Sequence, residues 1–222
     1  MKIIVTLMTL ITLLTLPAFA ADTLKTEEQK TLYAIGLSVG RTLAPFSLTT
    51  AELDIVKQGL TDAVAGKKPA IELSAYNNKI QEMARARRKA LGDKMAPQNK
   101  AALEKAAAEK SAVKTASGVV YVPLKEGTGT SPTATDTVRA NYRGTLPDGK
   151  EFDSSARQGK PLEFKLDKVI KCWQEGLQKM KPGGKAKLVC PAALAYGDTG
   201  AGDLILPGAT LIFEIELLEV KK

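Results

Sequence analysis

Near Thr115 the spacing of apolar residues changes, and the change rules out a fold of a single class. Before it, Leu32, Ile35, Val39 and Leu43 recur three or four residues apart, the spacing that gathers side chains on one face of a helix. After it come short β-branched runs such as Val119-Val120-Tyr121-Val122, broken by Gly and Pro, which is the texture of strands and turns. Helices first and strands afterwards mark an α+β chain. The expected organisation is a helical dimerisation domain with a connecting helix over 21–115, then a domain over 116–222 in which antiparallel strands form a half-barrel around one short helix.

The helical part reads as three segments. Gly36 and Gly40 lie one turn apart in the first and leave room for another helix. Thr49 stands three residues before Glu52, a capping box that opens the second, which continues through Leu53, Val56, Leu60 and Val64 to Gly66. The third begins near Glu72 or Ser74, with Leu73, Tyr76, Ile80 and Met83 on one face. Beyond Met83 the apolar stripe fades. Arg85 to Lys110 is rich in Ala, Lys, Glu and Arg, the pattern of a helix bridging domains through solvent. Pro97 should interrupt or kink it, or open a new helix as its first residue. Three helices with incomplete apolar faces make a small core. Residues 22–83 are therefore expected to pair with a second copy; a small self-contained helical domain is the alternative.

In the second part, Thr137 to Tyr142, Lys185 to Cys190 and Thr210 to Val220 read as further strands. Leu146-Pro147-Asp148-Gly149 is a turn in which Pro presets the bend and Gly takes the left-handed position. Val169 to Met180 reads as the helix, closed by Pro182-Gly183-Gly184.

Residues 1–20 have the form of a secretory leader. Lys2 supplies a basic start, Ile3 to Leu16 is apolar or Thr, and small residues at Ala18 and Ala20 precede the expected cleavage point. The apolar run is too short to span a bilayer comfortably, so the mature chain is expected to be periplasmic, with no membrane span. The formal charge of +8 would suggest nucleic acid in a cytosolic protein; export makes that partner unexpected. The 222-residue chain has no His, which excludes Ser-His-Asp and Cys-His catalysis and imidazole metal ligation within it. No phosphate loop, zinc spacing or cofactor motif is present.

Three stretches carry a resemblance. They are Val138-Arg-Ala-Asn-Tyr142-Arg-Gly144-Thr-Leu146-Pro-Asp148-Gly149-Lys-Glu-Phe152-Asp153-Ser154-Ser155, Val169-Ile170-Lys-Cys-Trp173-Gln-Glu-Gly176 and Ala195-Tyr196-Gly197. With Ala209-Thr-Leu-Ile-Phe213-Glu-Ile-Glu-Leu-Leu closing the chain, they resemble, in order and spacing, the FKBP-type peptidyl-prolyl cis-trans isomerases. The arm is similar, more loosely, to the dimerisation segment of the FkpA and Mip branch of that family. The resemblance implies a substrate pocket lined by Tyr142, Phe152, Leu162, Val169 and Phe213, with Leu204 and Ile205 as the apolar wall of the loop after Tyr196. It implies Trp173 as the floor under the proline ring. The Ile170 N–H and the Tyr196 hydroxyl would hold substrate carbonyls, and Asp153 would act electrostatically beside the rotating one. It further implies proline-containing unfolded exported proteins as substrates, macrolide-type inhibitors as other ligands, a homodimer, and no cofactor.

The chain departs from the family at three places. The Arg that commonly pairs with the pocket Asp would fall at Gln158, with Arg157 one place early. Either Arg157 turns in, or Asp153 rests on Tyr142 alone. Ala201 and Leu206 replace a frequent His and Pro of the loop. Cys172 opens the pocket helix and Cys190 lies on a strand expected beneath it. An oxidising compartment permits a bridge, and two buried thiols are the alternative. Three functions compete on these grounds: an isomerase with added chaperone activity, a proline-peptide-binding chaperone with little turnover, and a purely structural envelope protein.

Overall fold

A computed structural model describes residues 24–221; the leader and its cleavage point after Ala20 lie outside the described residues. The chain forms two compact units, one carrying the first helix and one running from Leu43 onward. Helix α1 (Glu27–Thr42) has Glu27 and Glu28 in its first turn and Arg41 in its last, charges that complement the helix dipole. It buries none of its residues. Leu32 is 61% exposed and Ile35 57%, and nothing lies within 4 Å of where a Cβ on Gly36 or Gly40 would stand.

The second unit opens with helix α2 (Thr50–Val64), whose capping box forms as expected: Thr49 accepts from the Glu52 N–H while Glu52 accepts from the Thr49 N–H. This helix too buries nothing, and Ile55 is 73% exposed. A 3-10 turn at Leu73–Tyr76 leads into helix α3 (Asn77–Ala107). Arg87 of α3 donates to the Phe46 carbonyl at 2.8 Å and forms an ion pair with Glu52. The Arg87 hydrogen bond, helped by those from Thr49, pushes the Glu52 carboxyl down to about 2.

Two expectations for α3 are corrected. Pro97 neither interrupts the helix nor starts a new one, since 31 residues run through it, which leaves the kink of the three expectations. The segment read as solvated is docked: Gly92, Asn99 and Ala106 are buried. Ala106, with Leu103 and Ala107 beside it, packs on Val120, Val122 and Val189, and Lys187 pairs with Glu109 at 2.6 Å. Leu103 apart, the contact is made by small and polar residues, so no stripe of large apolar side chains announces it.

Seven strands follow: β1 (Val113–Lys114), β2 (Val120–Lys125), β3 (Thr137–Thr145), β4 (Glu151–Ser154), β5 (Leu162–Lys165), β6 (Lys185–Cys190) and β7 (Leu211–Lys221). Their order is β1-β2-β6-β7-β3-β4, with β5 beside β4 on the same edge of β3, and every pairing is antiparallel. Alternation sorts the side chains. Leu211, Phe213, Ile215 and Leu217 of β7 enter the main core, whereas Ile212 faces the α3 side. The anticipated pocket helix is shorter than read. Helix α4 spans Lys171–Leu177, and Val169 before it is extended. Its Trp173 and Leu177 join Leu188 and Leu211 in the core. The sheet is thus covered by α4 on one face and by the end of α3 on the other.

Cys172 of α4 and Cys190 of β6 form a disulfide, with Cα atoms 5.7 Å apart. The bridge ties the helix that carries the pocket floor to the sheet beneath it.

Candidate active site

Inward alternation along β3 and β7 brings Tyr142 and Phe213 to the same side of the sheet, and α4 lays Trp173 against both. The Trp173 ring meets Tyr142 at 5.1 Å between centroids and Phe213 at 5.1 Å, each edge to face. Phe152 from β4 stands edge-on to Phe213 at 5.5 Å, and Phe164 from β5 tilts against the far side of Trp173 at 5.3 Å. Such edge-to-face sets lock one another's orientation. Gly144 makes the set possible: a Cβ there would fall 2.6 Å from the Phe152 ring.

Of these rings, Tyr142, Phe152, Trp173 and Phe213 line a cleft of about 340 Å3 that also takes in Asp153, Leu162, Val169, Ile170 and Tyr196. Every pocket position inferred from the sequence lies here except Leu204 and Ile205. Those two line an adjoining cleft that shares Phe152, Asp153 and Tyr196 with the first. Lys168, which the sequence did not single out, also borders the pocket. A larger groove of about 640 Å3 lies on the outer face of β3 and β7 among Arg143, Lys160, Lys185, Glu214 and Glu216. It is lined by none of Phe152, Trp173 and Phe213.

Asp153 is the one carboxylate of the aromatic cleft. The Tyr142 hydroxyl donates to its Oδ2, and the Ser154 N–H donates to Oδ1 at 2.9 Å. Burial first, and then the bond to Asp153, push the Tyr142 phenol well above its ordinary range, so it stays a donor. Arg157 does not turn in; its guanidinium donates to the Phe152 carbonyl at 3.1 Å. Gln158 acts at one remove, its Nε2 donating to the Tyr142 hydroxyl at 3.2 Å. Asp153 is therefore held by two donors without an Arg. Ser155 is buried and exchanges hydrogen bonds with the Tyr142 backbone, which anchors the start of the turn after β4. The signal for this was the Asp-Ser-Ser run itself.

Ile170 caps α4, and its carbonyl accepts from the Trp173 and Gln174 N–H groups. Trp173 is 5% exposed and its indole N–H finds no acceptor among the described residues. A chamber of this kind, apolar rings around one fixed carboxylate and the phenols of Tyr142 and Tyr196, can strip water from a short peptide segment. Among the described residues it holds no Ser, Thr, Cys or His side chain.

Fold and site together define a prolyl isomerase of the half-barrel type, and the chain belongs to the FKBP-type peptidyl-prolyl cis-trans isomerases. The family model described as FKBP-type peptidyl-prolyl cis-trans isomerase matches residues 128–218, and the domain amino terminal to it matches 28–122. The chain is 40% identical over 220 residues to the FKBP-type isomerase FkpA of Escherichia coli K12, covering 92% of this chain and 81% of that protein. It is 39% identical over 201 residues to the FKBP-type 22 kDa isomerase of the same organism, covering 89% of this chain and 98% of the relative. The crystal structure of Escherichia coli FkpA superposes with a TM-score of 0.66 at 38% identity, covering 90% of this chain and 99% of that one.

Proposed function

We propose that this isomerase works in the periplasm, as a homodimer joined through its helical arm, on proline-containing chains that have not finished folding. The observation that carries the catalytic part is the aromatic cleft with Asp153 held by Tyr142 and Ser154. An amide resists rotation by roughly 18–20 kcal/mol because its conjugation is lost on twisting. Both isomers of an X-Pro bond are accessible, so only the barrier needs lowering. The twisted amide is less polar than the planar one, and a site without water favours it selectively. In this reading Trp173 is the floor for the proline ring. The Ile170 N–H and the Tyr196 hydroxyl hold the flanking carbonyls, and Asp153 acts electrostatically on the rotating one. Tyr142, Phe152, Leu162, Val169 and Phe213 keep water out.

Two donors on Asp153 favour turnover over the reading of a proline-binding chaperone that does not catalyse. The arm supports the remainder of the proposal. Helices whose apolar residues lie uncovered, such as Leu32, Ile55 and Leu60, need a second copy or a client to bury them. The leader over 1–20 and the Cys172–Cys190 bridge both fit an oxidising compartment outside the cytosol.

The test is a protease-coupled isomerisation assay on an Ala-Leu-Pro-Phe-type peptide, with wild type and Asp153→Ala, alongside sedimentation of the full chain. Wild type should be clearly faster than the variant and should sediment as a dimer. Equal rates would leave the cleft as a binding site only, and a monomer would remove the pairing of arms.

A further inference from the structure

Three residues of one face of α3 meet a single loop of the isomerase half. Asn99 is buried, and its side-chain amide spans two backbone groups. Nδ2 donates to the Gly208 carbonyl at 3.0 Å, and Oδ1 accepts from the Thr210 N–H at 3.2 Å. Two turns earlier, Gly92 lies so close to the loop that a Cβ would stand 2.2 Å from the Pro207 carbonyl oxygen. One turn before that, the Arg88 guanidinium donates to the Ile205 carbonyl at 3.0 Å. Positions 88, 92 and 99 share a face because a helix repeats every 3.6 residues.

The loop so gripped carries Leu204 and Ile205 into the cleft that shares Phe152, Asp153 and Tyr196 with the aromatic pocket. Its internal backbone bonds are few. The Gly200 N–H donates to the Tyr196 carbonyl, the Gly208 N–H to the Gly197 carbonyl and the Ala209 N–H to the Leu206 carbonyl, with Ile205 and Ala209 reaching the main core. Ala201 and Ile205 exchange two backbone hydrogen bonds, and Gly200, Gly202 and Gly208 all take positive φ, a conformation in which the backbone is readily re-formed. Beyond these bonds and the burial of Ile205 and Ala209, its backbone leans on α3.

We propose that α3 is part of the isomerase's substrate-binding apparatus: Arg88 and Asn99 are positioning residues that hold the Leu204–Ile205 wall against the bound chain, with Gly92 permitting the close approach. The proposal rests on the reading of the cleft as the substrate site. It makes the affinity for the proline-containing chain depend on how α3 is seated, while the chemistry at Asp153 and Trp173 does not.

The experiment compares full-length wild type, Arg88→Ala, Asn99→Ala and Gly92→Ala. Isomerisation of one proline peptide is resolved into kcat and KM, and amide exchange is followed at Ala201 and Ile205. Each substitution should raise KM, by roughly three- to tenfold for the loss of one or two hydrogen bonds, and should speed exchange at both amides. kcat and exchange in β3 and β7 should stay as in wild type. Unchanged KM and loop exchange, or a loss confined to kcat, would overturn the proposal. Arg88 is only partly buried, so Arg88→Ala decides the matter should Asn99→Ala or Gly92→Ala not fold. A wild type without turnover would sink the reading of the cleft instead; Trp173 quenching by the same peptide would then still read affinity in the variants.

Discussion

At position 158 the chain carries Gln, and its side chain ends on the Tyr142 hydroxyl rather than on the pocket carboxylate. Tyr142 thereby becomes the hinge of the site, accepting from Gln158 and donating to Asp153. Its phenol stays protonated because burial and the neighbouring carboxylate both oppose ionisation. Tyr142→Phe keeps the ring against Trp173 and removes only this hydroxyl. It should lower kcat/KM roughly tenfold, the effect of about 1.5 kcal/mol for one bond to a charged group, with little change in thermal stability. An unchanged rate would mean that Ser154 alone holds Asp153 well enough.

At the level of elements, α4 decides whether there is a pocket at all. Seven residues long, it is too short to be stable from propensity alone; packing and the Cys172–Cys190 bridge hold it. Gly176 is where it sits closest to the sheet. A Cβ there would fall 2.4 Å from Cδ1 of Leu188, itself fully buried and without room to move aside. Gly176→Ala should therefore destabilise the fold by about 1–3 kcal/mol, as overpacking does, and should weaken proline-peptide binding by lifting Trp173. Chemical denaturation followed by Trp173 fluorescence, the chain's one Trp, reads both.

For the molecule as a whole, the α2–α3 corner depends on Glu52 and Arg87. A carboxyl lowered from 4.5 to about 2 stabilises the folded state above the unfolded value, and that contribution fades as pH falls from about 4.5 towards 2. Both side chains are partly exposed, so solvent screens the pair and the effect is modest. Thermal melts of wild type and Glu52→Gln should differ at pH 7 and converge near pH 2. A gap that persists at low pH would assign the loss to the capping box rather than to charge.

Much of this was legible residue by residue. The capping box at Thr49, the turn at Gly149 and the strand ending at Cys190 are local patterns, and side-chain chemistry announces them; the aromatic positions of the pocket were legible through the family resemblance. Strand β1 was missed because it is two residues long, and β4 and β5 because four-residue strands beside turns leave little alternation to detect. The placement of Arg157 was open in the sequence. The folded chain settles it, since a backbone carbonyl at Phe152 takes the guanidinium first.

The amino-acid order was enough to establish an α+β chain without imidazole chemistry, because those follow from periodicity and residue type; the prolyl-isomerase cleft was legible only through the resemblance of its motifs to a known family. The course of α3 came only with the tertiary structure. A helix that looked solvated passes through Pro97 and docks by Gly92, Asn99 and Ala106. Its partners there include the backbone groups of Pro207, Gly208 and Thr210. Backbone acceptors and donors are the same at every residue, so nothing in the side chains marks which of them a helix will meet.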